Sequence, residues 1–464
     1  MGHRVVISES LFMSRKIFFI AGMAYLLFVV YGSLVPFDFH PRSLDLALKD
    51  FRHIRYLKLG MDSRADWVAN ILLYIPLPFL WLGCASRQRR YALQVIVSVL
   101  LFLFCVTLSV AIEFAQQFFP PRTVSLNDIL AEIAGTIIGI VLWWAAGDKV
   151  GRLLESLVAQ GKSAAYAGLT LYTIGYLAFS LFPYDFLISA NEIHAKFASG
   201  FLHWLPSRAA CGGTLRCSAK LVAEAAAVAP LGLLLGVVSR KSRGQLIWSA
   251  AWLGGWLGLI IETLQFFLVS GVTMAASVFT RVIGVAAGAA AGKTLKRTSL
   301  WPLLYLLRPF MPLAGALYVI LLAGVTWLGK GPLLGVDEGI KRLHEIRFMP
   351  FYYHYYTSES AALTSLFAVA IMFVPLGMQY WVWRVTMMRE FVFRGAINAA
   401  LMGAVISAGI EVGKLFLRSA RPDPTNVLIG SMSVAVGFIA ASLCTKATLS
   451  VGAMDGDPAA HASS

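Results

Sequence analysis

The sequence predicts an all-α polytopic membrane protein with about twelve transmembrane helices, and three observations carry that reading. Of 464 residues, 58% are hydrophobic and only 14% are charged. The mean hydropathy is +0.72. A soluble domain is about 45–50% apolar and roughly 25% charged, so this chain lacks the polar residues to cover a water-facing surface. Twelve apolar runs follow one another along it. A set of polar markers recurs among those runs at a fixed interval. Together these exclude a soluble enzyme, a disordered chain, a disulfide-rich secreted scaffold and a coiled coil.

A helix needs about 20 predominantly apolar residues to span a bilayer. The candidate spans lie near 17–35, 67–85, 93–118, 128–146, 165–182, 220–239, 245–268, 274–291, 312–329, 362–384, 395–416 and 427–445. Lipid offers the backbone no hydrogen bonds, so a span is a helix or part of a closed barrel. These runs are too long and too evenly apolar for barrel strands. The first follows Arg15-Lys16, as a signal peptide would. It exceeds a typical signal core, and no small-x-small site follows, so it reads as an uncleaved anchor.

Short loops set the orientation. Arg87, Arg89 and Arg90 lie in one, Arg240, Lys241 and Arg243 in the next. Lys293, Lys296, Arg297 and Arg308 follow, then Arg384, Arg389 and Arg394. All fall on the side of Arg4, Arg15 and Lys16, which the positive-inside rule makes cytoplasmic. Residues 1–16 are then a cytoplasmic N-terminus, and 446–464 a disordered cytoplasmic tail. The net charge of +15 therefore reports orientation, and no nucleic-acid partner is expected. The outer loops 36–66, 183–219 and 330–361 mix acids with bases. Cys211 and Cys217 share one of them and are placed to form a disulfide in an oxidising exterior.

Glu113, Glu262 and Glu411 are separated by 149 residues each, and so are Gly139, Gly288 and Gly437. SLVPFDF at 33–39 returns as SLFPYDF at 180–186. Pro76-Leu77-Pro78, Pro230-Leu231-Gly232 and Pro375-Leu376-Gly377 precede the glutamates in turn. The chain thus reads as three four-span units, 17–147, 165–292 and 312–445. An even span count returns the chain to one side, so the units are parallel repeats.

Each glutamate sits near the outer end of its span. A charge inside a membrane needs a partner or a function. The first unit has the fullest polar set: Glu113, Gln116, Arg122, Ser125, Asn127 and Asp128. Arg122 suits Glu113, Asp128 or an external anion. Ser125, Asn127 and Asp128 suit the cap of the next helix. The set reads either as a capped, salt-bridged hairpin or as a ligand site. The second unit keeps Glu262 and Gln265 but has Ser277 at the Asp128 place. The third keeps Glu411 and Asn426, and its Lys414 is placed to neutralise Glu411. These later copies read as structural. Glu132 and Arg281 share one repeat position with opposite signs, which predicts an interhelical pair. Histidines cluster in the outer loops at unlike spacings with no ligand motif, so no metal and no cofactor are expected.

Three stretches, YGSLVPFDF at 31–39, NILLYIPLP at 70–78 and IEFAQQFFPPRTVSLNDILAEIAGTIIG at 112–139, resemble the VanZ-like family of membrane proteins. A typical member has one such unit, so three tandem copies are a departure. The resemblance implies the bacterial cytoplasmic (inner) membrane and a role at the cell envelope. The family takes its name from teicoplanin resistance, an antibiotic-resistance trait, and other members are associated with exported polysaccharide systems.

Three functions remain open. The first is binding or modulating an envelope glycan, peptidoglycan or lipid-linked precursor at an outer-face polar pocket. The second is a twelve-span transporter or flippase. The third is an intramembrane enzyme with Glu113 as general base. The absence of a diagnostic triad inclines the reading away from an enzyme.

Overall fold

The computed structural model describes residues 2–56, 60, 63–85, 91–120, 122–158, 162–198, 202–203, 214–297, 300–357, 359–384 and 392–454. Helix dominates throughout. In the first third of the chain lie α1 (Gly2–Leu34), α2 (Leu44–Phe51), α3 (Ser63–Tyr74), α4 (Pro76–Ala85), α5 (Tyr91–Gln116) and α6 (Leu126–Val158). The middle carries α7 (Lys162–Ser180), α8 (Ala190–Ala198), α9 (Thr214–Val238), α10 (Arg243–Phe266) and α11 (Ala275–Arg297). The last third carries α12 (Leu300–Leu307), α13 (Met311–Trp327), α14 (Val336–Glu345), α15 (Tyr352–Tyr355), α16 (Glu359–Arg384), α17 (Val392–Leu415) and α18 (Thr425–Met454). One short parallel pair joins β1 (Leu202–His203) to β2 (Thr273–Met274).

Among the described residues, eleven helices are long and apolar enough to cross a membrane. The protein is therefore an all-α polytopic membrane protein. Eleven of the expected spans coincide with these helices. The twelfth, 165–182, falls on α7, which is helical but not among the eleven. Two boundaries differ from expectation. The span expected at 128–146 is the N-terminal part of the 33-residue α6, which runs on to Val158. Residues 446–454, expected to be disordered, continue α18 as helix, and 455–464 lie outside the described residues.

Proline chemistry explains one break. Pro76 and Pro78 both lack an N–H, so two helical bonds are lost within one turn and the second span divides at Ile75 into α3 and α4. Pro230 and Pro375 stand alone in their turns, and α9 and α16 run through them.

The chain forms two compact bodies. The first comprises 1–159, 167–228 and 252–284; the second comprises 160–166, 229–251 and 285–464. The expected middle unit, 165–292, has residues in each. In the first body α1 packs on α4 and α5, while α6 packs on α3, α4 and α5. Val29, Tyr74, Leu77, Cys105 and Ile112 form one buried cluster there, and Phe18, Leu82 and Trp143 another. Glycine permits the closest approach. A Cβ on Gly135 would sit 2.2 Å from the Ile71 carbonyl oxygen, and one on Gly139 would sit 2.3 Å from that of Ile75. In the second body α18 lies against α16 and α17, around a core that includes Phe373, Leu376, Ile410, Val434 and Phe438.

Candidate functional site

Each of the three glutamates holds a loop. Glu113, at 1% exposure, accepts the backbone N–H of Ser125 at 2.5 Å. Glu262 accepts that of Met274 at 2.7 Å, and Glu411 that of Asp423 at 2.8 Å. In every case the donor lies twelve residues on. The carboxylate thus closes the turn between its own helix and the next one, and burial makes that bond worth more than in water. A second backbone bond recurs beside it. The N–H groups of His40, Leu187 and Leu334 donate to the carbonyls of Phe118, Phe267 and Phe416.

The last carbonyls of a helix have no intrahelical donor, and side chains supply donors here. Gln116 Nε2 donates to Ser33 O at 2.9 Å, and Gln265 Nε2 to Ser180 O at 2.8 Å. Arg122 Nε donates to Val35 O at 2.7 Å, and its Nη2 to Gly32 O. Arg122 therefore grips the end of α1. Lys196 of α8 donates to Leu268 O. Burial pulls its ammonium below the usual value, with Asp185 opposing. Arg342 of α14 reaches the carbonyls of Leu415, Leu417 and Ala420. So in two places a base from a short surface helix covers the end of the glutamate helix.

Ser125 and Asp128 open α6. Ser125 Oγ donates to Asp128 Oδ2 at 2.8 Å and accepts the Asp128 N–H at 3.3 Å. Ser125 Oγ thus caps the helix, while the Ser125 N–H that a capping box would give to residue 128 goes to Glu113 instead. Asn70 of α3 donates to Asp128 Oδ1 at 2.7 Å and ties the cap to α3. Asn127 is buried.

The expected pair of Glu132 with Arg281 is not formed. Arg281, at 2% exposure, places Nη1 2.6 Å from Glu262 Oε1, its Nε donates to Tyr176 at 2.9 Å, and Nη2 lies 4.0 Å from Glu224 Oε1. The reason is local. Glu262 sits 19 residues earlier on the neighbouring helix and Glu224 faces it from α9, so Arg281 finds two acids within its own segment. Lys414 Nζ meets Glu411 Oε1 at 2.7 Å, and Asn426 Nδ2 donates to the same oxygen at 2.9 Å. Ser277 is fully buried.

A cavity of about 610 Å³ opens beside the Glu113 hairpin. Its wall includes His40, Arg42, Asp50, His53, Arg55, Gln116, Gln117 and Arg122. Three arginines face one aspartate, and Arg42 is ion-paired with that Asp50. Drug-sized ligands occupy cavities of roughly 300–1,000 Å³. Both polar atoms of Gln117 are buried without a hydrogen-bond partner among the described residues. Of the six residues expected to bind ligand, only Gln116 and Arg122 line this cavity. Glu113, Ser125 and Asp128 are engaged in closing and capping the hairpin instead. Sequence reading passed over Arg42, Arg55 and Gln117. The one available signal was Gln117, because the residues 149 and 298 further on are apolar, Phe266 and Leu415.

Among the described residues, no group of three or more His, Cys, Asp or Glu side chains is arranged to hold a metal. Cys217 is disulfide-bonded, and Cys211 lies outside the described residues.

No curated protein and no solved structure matches this chain. Residues 10–147 match the family model VanZ-LLP1, described as VanZ/LLP1. That range holds the Glu113 hairpin, the capped start of α6 and the residues that line the cavity, and over it the chain is similar to the VanZ-like family.

Proposed function

We propose that the cavity beside Glu113 binds the anionic group of an envelope glycan, peptidoglycan precursor or other lipid-linked precursor. The single observation that carries this reading is the wall of the cavity, where Arg42, Arg55 and Arg122 face Asp50. Guanidinium groups match phosphate and carboxylate in charge and in fork geometry. Arg55 is exposed, which leaves it accessible to an incoming anion. Gln117 supplies a buried amide for a neighbouring hydroxyl or carbonyl.

The chain is read as three tandem VanZ-like units of four spans, in the bacterial cytoplasmic membrane, with both termini inside. The recurrence of the glutamate clasp twelve residues ahead of each donor supports that reading. The first unit is the working copy. In the others Lys196 and Arg342 cover the end of the glutamate helix, while Lys49 of α2 is exposed. A clasped Glu113 is poorly suited to serve as a general base, which favours binding over catalysis.

The test uses purified protein in nanodiscs with a polyprenyl-pyrophosphate-linked disaccharide as probe. Arg55→Glu and Gln117→Phe should each weaken binding at least tenfold, about 1.4 kcal/mol, with an unchanged melting temperature. Wild-type affinity in both variants would overturn the reading. Equal binding of an uncharged polyprenol-linked disaccharide would show that the anion is not what is recognised.

A further inference from the structure

The short helix α14 presents three different sides. Val336, Ile340 and Leu343 stand at i, i+4 and i+7, on one side of it. They are 66%, 49% and 41% exposed. Leu333 just before the helix and Phe348 just after it are exposed as well. Asp337, Glu338, Lys341 and Glu345 occupy the opposite side. Gly339 and Arg342 lie between the two, about a quarter turn from the apolar stripe. Gly339 is buried and receives the Phe416 ring, to which a Cβ there would come within 2.7 Å. Arg342 reaches the carbonyls of Leu415 and Leu417. One side of α14 therefore meets the protein, one is apolar and one is charged.

A ten-residue helix is marginal in water by itself, and the stripe adds apolar surface that water does not favour. The place of α14 in the chain says what covers it. α13 and α17 belong to membrane spans that end at Trp327 and Leu415. Backbone bonds hold the approach to α14 against the end of α17. Ser419 N–H donates to Lys330 O at 2.8 Å, and Leu334 N–H to Phe416 O at 2.8 Å. The helix thus sits at the level where two spans leave the hydrocarbon. The exposed side of α13 reaches that level through Leu317, Leu321 and Leu328. Tyr352, Tyr353, Tyr355 and Tyr356 follow in the chain, and tyrosine concentrates at the membrane–water boundary.

We propose that α14 lies flat in the headgroup boundary of the bilayer, with Val336, Ile340 and Leu343 in lipid and the charged side in water. An amphipathic helix of this kind buries its apolar face roughly 5–10 Å into that boundary. Lipid then completes the support of α14 and keeps Arg342 over the end of α17. This inference stands on the last third of the chain and does not rest on the cavity beside Glu113.

The test places a nitroxide on single cysteines introduced into the full chain in nanodiscs, with the labelled wild type subtracted as background. Oxygen partitions into lipid, and a nickel chelate stays in water. Ile340→Cys and Leu343→Cys should be reached several-fold better by oxygen than by the chelate. The order should reverse at Glu338→Cys and Lys341→Cys. All four positions are exposed, so each variant should melt as the wild type does. Val336→Cys repeats the reading at the start of the helix should either stripe variant fail that check. Equal access of nickel to 340 and 341 would put the stripe in water and overturn the proposal. Shielding of 340 from both reagents would mean that a protein covers the stripe, and would overturn it as well.

Discussion

The carboxylate of Glu113 accepts the amide hydrogen of Ser125 at 2.5 Å, from one turn of the first hairpin to the other. This bond places the glutamate in the architecture of the hairpin. Glu113→Gln keeps an acceptor and should preserve the fold. Glu113→Ala strands a buried N–H and should cost about 1–3 kcal/mol. Thermal melts of the two variants in detergent check this, and equal losses would argue against the clasp. The same ordering is expected at Glu262 and Glu411.

Arg281 and Glu262 form a buried pair at 2.6 Å. Removing one partner of such a pair leaves an uncompensated charge and typically costs 3–5 kcal/mol. Arg281→Met should therefore be strongly destabilising. Arg281→Met with Glu262→Gln should recover most of the loss. By contrast, exchanging Glu132 and Arg281 should bring no rescue over the single substitutions, because the two do not meet. Membrane abundance and melting temperature measure both outcomes.

Arg64 and Glu192 are bound through two oxygens, at 2.8 and 3.0 Å. The guanidinium, helped by the Ile188 and Ser189 amides, holds the Glu192 carboxyl down to about 2. Its unfolded value is about 4.3. A depressed folded value means stabilisation that is complete above the unfolded value and fades as pH falls through the folded one. The stability difference between wild type and Glu192→Gln should be flat from pH 8 to about 5. It should shrink between about 4.3 and 2. A difference that grows with acid would contradict the pairing.

Gly139 lets α6 approach the end of α3, and a Cβ there would lie 2.3 Å from the Ile75 carbonyl oxygen. Gly139→Ala should cost about 1–3 kcal/mol by overpacking, and Gly139→Val more. Gly32, where a Cβ would have nothing within 4 Å, is the matched control, and Gly32→Ala should be near neutral. Comparable losses at both positions would mean that close approach is not what Gly139 provides.

Much of this was readable in the residues, and the reason is the solvent. A span declares itself by length and hydropathy because lipid tolerates only saturated backbone bonding. Eleven of the expected spans coincide with helices for that reason. The glutamates were found because charge is rare in such spans. What each one touches was not readable. Glu113 reaches a backbone amide, which carries no sequence signature. Arg281 chose the acid on the neighbouring helix over the one at its own repeat position, because helix rotation decides what faces what. The cavity unites 40–55 with 116–124, and nothing in either stretch announces the other. The break at Ile75 was legible in Pro76 and Pro78, but only as two missing donors considered together.

The clasps also bear on how the chain is made. Each glutamate finds its amide only twelve residues later, and Gln116 and Gln265 reach back 83 and 85 residues. A ribosome that has delivered residue 128 has therefore delivered the partners that close and cap the Glu113 hairpin, before α7 exists. The Glu262 and Glu411 hairpins close in their turn by the same rule. Synthesis can thus complete the protein one hairpin at a time from the N-terminus, with few buried charges waiting on chain not yet translated. The Arg64 guanidinium is an exception, since its carboxylate arrives 128 residues afterwards.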